Sequence, residues 1–162
     1  MILFELTDKI GRLKLMKTKI KISDEKIESE NALKFVSNSK SGAIDLFLGT
    51  IRNHNEGKSV QKLEYHIYDD MVKKEIEKIV DETRSKWEIE KIYIEHRTGE
   101  IQIEEIAVAI AVSSVHRSES FDACRYLIDN IKHRAPIWKK EYTEEGIFWV
   151  EGCEHKPAKN EI

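Results

Sequence analysis

The sequence predicts an α+β domain, a mostly antiparallel sheet carrying two principal helices, and three observations lead there. Apolar residues recur at three- and four-residue steps in two long stretches, near 70–87 and 118–133. Shorter alternating or fully apolar runs lie between them and read as strands. Several of those strands are joined by turns too short for a parallel crossover, so they pair antiparallel. Only seven glycines and two prolines occur in 162 residues, which favours short connections and regular structure.

The elements follow in order. Residues 1–16 have weak periodicity and read as an N-terminal extension; 17–152 form the domain and 153–162 a C-terminal tail. Lys17 to Ile22 alternates like a strand. Ala32, Leu33 and Val36 place a short helix near 30–36. Gly42 opens an apolar run, 43–51, read as a well-buried strand that stops at the polar loop Arg52-Asn53-His54-Asn55-Glu56-Gly57. Leu63, Tyr65 and Ile67 alternate as a second strand, after which Asp69 or Asp70 caps a helix striped by Val72, Ile76, Ile79, Val80, Thr83 and Trp87. Ile92 and Ile94 mark a third strand leading to a Thr98-Gly99 turn. Ile106 to Val112 is apolar throughout, as a central strand is. The second long helix carries Phe121, Cys124, Leu127, Ile128 and Ile131 on one side and stops at Pro136, which lacks an amide proton. Residues 137–142 and 147–150 read as a hairpin turning at Glu144-Glu145-Gly146.

Composition narrows the class of protein. Two cysteines, Cys124 and Cys153, make no multi-bridge framework, which fits a reducing compartment. No signal-like N-terminus and no apolar run long enough to span a bilayer is present, so a cytoplasmic protein is expected. The six histidines (54, 66, 96, 116, 133 and 155) form no HxH or HxxxH pair, which gives zinc or non-haem iron little support. His66 and His96 read as packing or hydrogen-bonding residues within strands.

Charge is unevenly placed. The formal net charge is −3, yet 116–140 holds six Lys/Arg (117, 125, 132, 134, 139 and 140) against three acids. A basic region on an acidic protein suits a small anion better than a nucleic-acid track. Arg117 lies where the central strand hands over to a helix, where free amides and the helix dipole attract anions. Its planar fork matches phosphate or carboxylate oxygens in pairs. Lys132 sits at the far end of that helix, Lys139 on the next strand, and Arg52 and His54 leave an earlier strand. An alternative is a solvated cationic face that merely caps the helix.

Three segments carry a resemblance: Gly42 through Arg52-Asn53-His54-Asn55; Ser114-Val115-His116-Arg117-Ser118; and Lys132-x-Arg-Ala-Pro-x-Trp-Lys-Lys-Glu141. Together, over roughly residues 17–150 and in register, they resemble the large, catalytic subunit of molybdopterin synthase. The resemblance implies an α/β-hammerhead-like fold with a small β subdomain, and a homodimer within a heterotetramer. It also implies a small ubiquitin-like sulfur-carrier partner ending in a Gly-Gly thiocarboxylate. Sulfur would pass from that carrier to cyclic pyranopterin monophosphate, forming the dithiolene in molybdenum cofactor biosynthesis, with no resident cofactor or metal. By motif matching, Thr50, Ile51, Arg52, His116, Arg117, Lys132, Lys139, Lys140 and Glu141 would line the pterin site, with Lys132 and Lys139 as a buried catalytic pair. Desolvation would let one of them lose its proton more easily and shuttle it.

Other readings compete. Cys124 falls on an apolar helix side and reads as an inert buried thiol, with Cys153 incidental. Trp138 would stack on a pterin or pack in a core or interface. A non-enzymatic anion- or RNA-binding adaptor would use the same patch, although the aromatics that single-strand binders interleave are sparse here. A lysine Schiff-base enzyme such as an aldolase is a third possibility, distinguished by borohydride trapping.

Overall fold

The structure is a computed structural model that describes residues 17–150. The proposed extension and tail, and with them Cys153 and His155, lie outside the described residues.

The apolar run at 106–112 becomes the middle of the larger sheet. Strand β7 (Ile106–Ser114) is flanked by β5 (Lys91–Arg97) and β2 (Ala43–Thr50), both antiparallel to it, and β1 (Thr18–Ser23) adds parallel to β5. Alternation along β5 explains its two burials. Ile92, Ile94 and His96 share one face, while Tyr93, Glu95 and Arg97 share the other. The first face meets the main core with Val108, Ile110 and Val112 of β7 and the long helices α2 (Asp69–Lys86) and α3 (Arg117–Arg134). The second face meets the short helix α1 (Ser29–Val36) through Ala32, Val36, Tyr93 and Ala111. Glu95, inside that layer, is held by the Tyr93 hydroxyl at 2.6 Å and by Lys21 at 3.0 Å. A buried carboxylate requires such partners.

The stripe expected on α2 is buried as Val72, Ile76, Ile79, Val80 and Thr83. Capping differs: Tyr68 occupies the N-cap position, and Asp69 and Asp70 lie in the first turn, where they oppose the positive end of the dipole instead. On α3 the buried positions are Ser120, Ala123, Cys124, Leu127, Ile128 and Ile131. Phe121, expected among them, is exposed, because it falls one position off the stripe. Arg134 ties the two helices by ion pairs to Glu75 at 2.7 Å and Glu82 at 2.6 Å.

A second sheet sits beside the first. Strand β4 (Lys58–Ile67) pairs with β8 (Ile137–Thr143), which pairs with β9 (Gly146–Val150); β6 (Gly99–Gln102) and the two-residue β3 (His54–Asn55) also pair with β4. Every pairing in this sheet is antiparallel. Its own core is Ile51, Val60, Leu63, Ile101 and Ala107. The hairpin turn expected at 144–146 is present, and Gly146 takes a φ of 132° there, which disfavours any side chain. Strand β4 is longer than its apolar residues indicated, since Lys58 and Ser59 extend it to pair with β3. Where sequence shows a turn at Thr98-Gly99, β5 is followed directly by β6. No helix among the described residues is long and apolar enough to cross a membrane.

Candidate active site

The end of the larger sheet, the C-terminal part of α3 and the second sheet meet around a cavity of about 640 Å³. Each wall follows from the strand and helix periods. From β5 and β7 come His96 and Val108, which are register partners. Ile128, Ile131 and Lys132 come from successive turns of α3. From β8 come Ile137, Lys139 and Glu141, alternate residues and hence one face; Tyr65 of β4 pairs with Lys139. Arg52 arrives from the loop after β2 and Asn55 from β3, and Phe148, Trp149 and Val150 of β9 complete the rim. Burial grades across the space. Ile131, Val108 and His96 are nearly inaccessible, whereas Arg52 and Lys132 are exposed. The floor is therefore apolar with two neutral polar rings, and the cations stand at the mouth.

The charged groups are wired together. Glu141, only 6% exposed, accepts two bonds from the Asn55 amide at 2.9 and 3.1 Å and pairs with the Lys139 ammonium at 3.1 Å. Asn55 in turn accepts from the Arg52 guanidinium at 3.1 Å. A buried carboxylate thus anchors Lys139 directly and Arg52 through one amide, fixing two cations that are 87 positions apart in the chain. Tyr65 stands behind them. Burial, reinforced by the negative charge of Glu141, pushes its phenol up to about 12, so it stays protonated. His96 packs edge-to-face on Tyr65, with ring centres 5.1 Å apart, and burial lowers its pKa to about 4.

Of the residues singled out in sequence, Arg52, Lys132, Lys139 and Glu141 share this cavity. The lysine pair is not buried in the chain alone, however. Lys132 is exposed and Lys139 is part-buried, because the helix end and the strand both face the open mouth. Lys140 lies on the opposite face of β8, 4.0 Å from Glu64 and above the Trp149 ring, as alternation requires. Trp138 shares that other face and packs edge-to-face on Tyr68. Thr50 is exposed at the end of β2, beside a β-bulge, and Ile51 is buried in the second core; they aim Arg52 without lining the cavity. His54 bonds its neighbour Asn53 outside the cavity. His116 and Arg117 are exposed at the N-terminus of α3. Fifteen residues of helix separate Arg117 from Lys132, about 22 Å at 1.5 Å per residue.

Asn55, Tyr65 and His96 are site residues that sequence reasoning missed. Asn55 stood inside the recognised loop, and its amide was the available signal; Tyr65 and His96 depend on strand register, which no local pattern reveals. Cys124 is buried against the main core, and burial pushes its thiol up to about 12. Among the described residues no group of three or more His, Cys, Asp or Glu is arranged to hold a metal.

The family model described as MoaE protein matches residues 22–134. The chain belongs to the MoaE family. The molybdopterin synthase catalytic subunit of Pyrococcus abyssi is 44% identical over 130 residues, covering 80% of this chain and 88% of that protein. The human molybdopterin synthase catalytic subunit is 42% identical over 130 residues, covering 80% of this chain and 69% of that one. Among solved structures, molybdopterin synthase from Staphylococcus aureus superposes with a TM-score of 0.76 at 40% identity, covering 80% of this chain and 95% of that one. A complex of subunits 1 and 2 of the molybdopterin-converting factor of Helicobacter pylori shares the fold, with a TM-score of 0.68 at 21% identity; it covers 81% of this chain and 89% of that one. The α+β architecture is thus that of MoaE proteins, and the MoaE relatives are sulfurtransferase subunits of molybdenum cofactor biosynthesis.

Proposed function

We propose that this chain is the catalytic subunit of a molybdopterin synthase, moving sulfur from a thiocarboxylated small carrier to cyclic pyranopterin monophosphate. The observation that carries the reading is the meeting of Arg52, Lys132, Lys139 and Glu141 around one cavity. All three reacting species are anions: the cyclic phosphate, the incoming thiocarboxylate and the carboxylate left behind. Each transfer replaces a carbon–oxygen bond of the pterin side chain by a carbon–sulfur bond, the displaced oxygen leaving as water or staying on the phosphate; it also breaks the carrier's bond to that sulfur and leaves a carboxylate whose added oxygen comes from water.

In this reading Arg52 grips phosphate with its planar fork. Lys139, oriented by Glu141 at 3.1 Å, stabilises charge developing on the thiocarboxylate as sulfur departs. Lys132, on the rigid end of α3, meets the same charge from the helix side, and the pair hands protons to and from the side-chain oxygens as sulfur attacks and the cyclic phosphate opens. Their exposure in the single chain is what an entering carrier tail would remove, strengthening each charge interaction as water leaves. His116 and Arg117, about 22 Å away on the same helix, serve the phosphate from the partner subunit of a homodimer. Their exposure and anion-ready position support this placement. Thr50 and Ile51 set the strand end from which Arg52 projects, and Lys140 borders the site from behind β8.

The test is dithiolene formation with a thiocarboxylated carrier. Lys132→Ala and Lys139→Ala are each expected to lose ~10²-fold or more in rate, the usual effect of removing one preorganised charge-stabilising group. Normal turnover by both variants would end the assignment.

A further inference from the structure

The cavity floor holds a group for which neither the family resemblance nor the charge chemistry above has a use. His96 is 6% exposed at the end of β5. Its Nδ1 lies 2.8 Å from the carbonyl oxygen of Arg97, and a carbonyl can only accept, so Nδ1 must carry the proton. Nε2 is then a bare acceptor. Among the described residues no donor reaches it, and it is not among the side-chain atoms that are both sealed from solvent and unpartnered. It therefore opens onto the cavity that His96 lines. Tyr65 fixes the ring plane through its edge-to-face contact, and Val108, Ile128 and Ile131 surround the pair with hydrocarbon.

We infer that His96 is a specificity-determining residue whose Nε2 accepts a hydrogen bond from a ring N–H or amino group of the bound pterin, seating the heterocycle on the floor with its phosphate at the mouth. The inference rests on the substrate class proposed above and adds the orientation in which that substrate lies. Two features of the floor support it. A lone acceptor amid apolar groups repels the oxygens of a phosphate and the sulfur of a thiocarboxylate, so the anionic parts are driven to Arg52, Lys132 and Lys139. It also rewards a flat ring edged with N–H donors, which a pterin has and a simple sugar phosphate lacks. Burial keeps the imidazole neutral across the physiological range, so the acceptor is always available.

Two side chains separate the two nitrogens. His96→Asn can still place an amide donor near the Arg97 carbonyl but has nothing at the position of Nε2, whereas His96→Gln can place a carbonyl oxygen near it. Calorimetric titration of the purified full chain with cyclic pyranopterin monophosphate, kept anaerobic, and separately with inorganic phosphate gives the readout. His96→Asn is expected to weaken pterin binding ~10-fold or more, the usual consequence of leaving a buried donor unpaired. Its affinity for inorganic phosphate should be unchanged, and His96→Gln should recover most of the pterin affinity. Nitrogen NMR of the imidazole in the wild-type chain is expected to show the Nδ1-protonated tautomer, with the Nε2 signal moving when the pterin binds. The inference is overturned by full pterin affinity in His96→Asn, by equal loss of phosphate and pterin, or by an Nε2-protonated ring in the free protein. A wild-type chain that binds phosphate but no pterin overturns the substrate reading itself, and this is distinguishable because the variants then have no pterin affinity to compare.

Discussion

Replacing Glu141 by glutamine removes one charge and almost no volume from the most connected point of the site. Its carboxylate receives two bonds from Asn55 and faces the Lys139 ammonium at 3.1 Å. The glutamine can still accept from Asn55 through one oxygen, but its NH₂ must then stand against a second donor or the ammonium. Hydrogen bonds to charged groups contribute ~1.5–3 kcal/mol each. The ion pair adds less than a fully buried one, since a quarter of the Lys139 side chain is exposed. A net loss of about 2–3 kcal/mol follows from one such bond and the discounted pair. At this chain length each kcal/mol moves Tm by ~2–4 °C, so thermal unfolding should shift downward by roughly 5–10 °C. A double-mutant cycle with Lys139→Met should return a coupling of about 1 kcal/mol, because the two side chains are in contact. Sulfur transfer should fall alongside, with Lys139 and Arg52 both losing their anchor. A Tm within about 2 °C of the parent, or strictly additive variants, would refute the idea that this carboxylate organises the site.

Two further outcomes bear on groups outside the cavity. Glu82 is held well below the ordinary carboxylate value, to about 2, first by its hydrogen bond from Arg134 and then by that from Tyr126. Because the folded value is depressed, this contribution is present above about pH 4.5 and disappears as pH falls towards about 2. Glu82→Gln should therefore lower Tm at neutral pH and converge with the parent in acid; a gap that persists at pH about 2 would contradict the pairing. Cys124, buried and pushed up to about 12, should resist alkylation in the folded chain at pH about 8, and Cys124→Ala should retain sulfur transfer. Loss of turnover with folding intact would point to a persulfide on that thiol.

Much of this architecture was legible because period and burial agree. The apolar run at 106–112 could only be a central strand, and the stripe from Val72 to Thr83 could only be a helix face. What escaped is what depends on pairing. Strand β6 and the first half of β4 each carry one buried apolar residue, Ile101 and Val60, too few to show a period; β6 is held by its ladder with Lys62 to Tyr65, and Lys58 and Ser59 by theirs with β3. Phe121 misled because helix faces are wide and its neighbours are apolar. Within the site, alternation along β8 alone separates Lys139 and Glu141 from Trp138 and Lys140. The predicted desolvation of Lys132 failed for the single chain because spacing places a residue on an element without saying whether anything covers it. His96 reads in sequence as a packing or hydrogen-bonding residue, and it is the contact between its Nδ1 and the Arg97 carbonyl that reveals which nitrogen is left over.

The parallel pairing of β1 with β5 has a practical corollary. Thr18 lies opposite Ile92 and Ile22 opposite His96, so β1 begins about 13 Å before the level of the cavity, where Arg84 clasps the carbonyl of Lys17. The carboxyl side is different, since Val150 itself borders the opening. A surface tether or fluorophore grafted ahead of β1 sets out from the remote end of the sheet and leaves the entrance clear, whereas one spliced in just after β9 sits on the doorstep and competes with whatever enters.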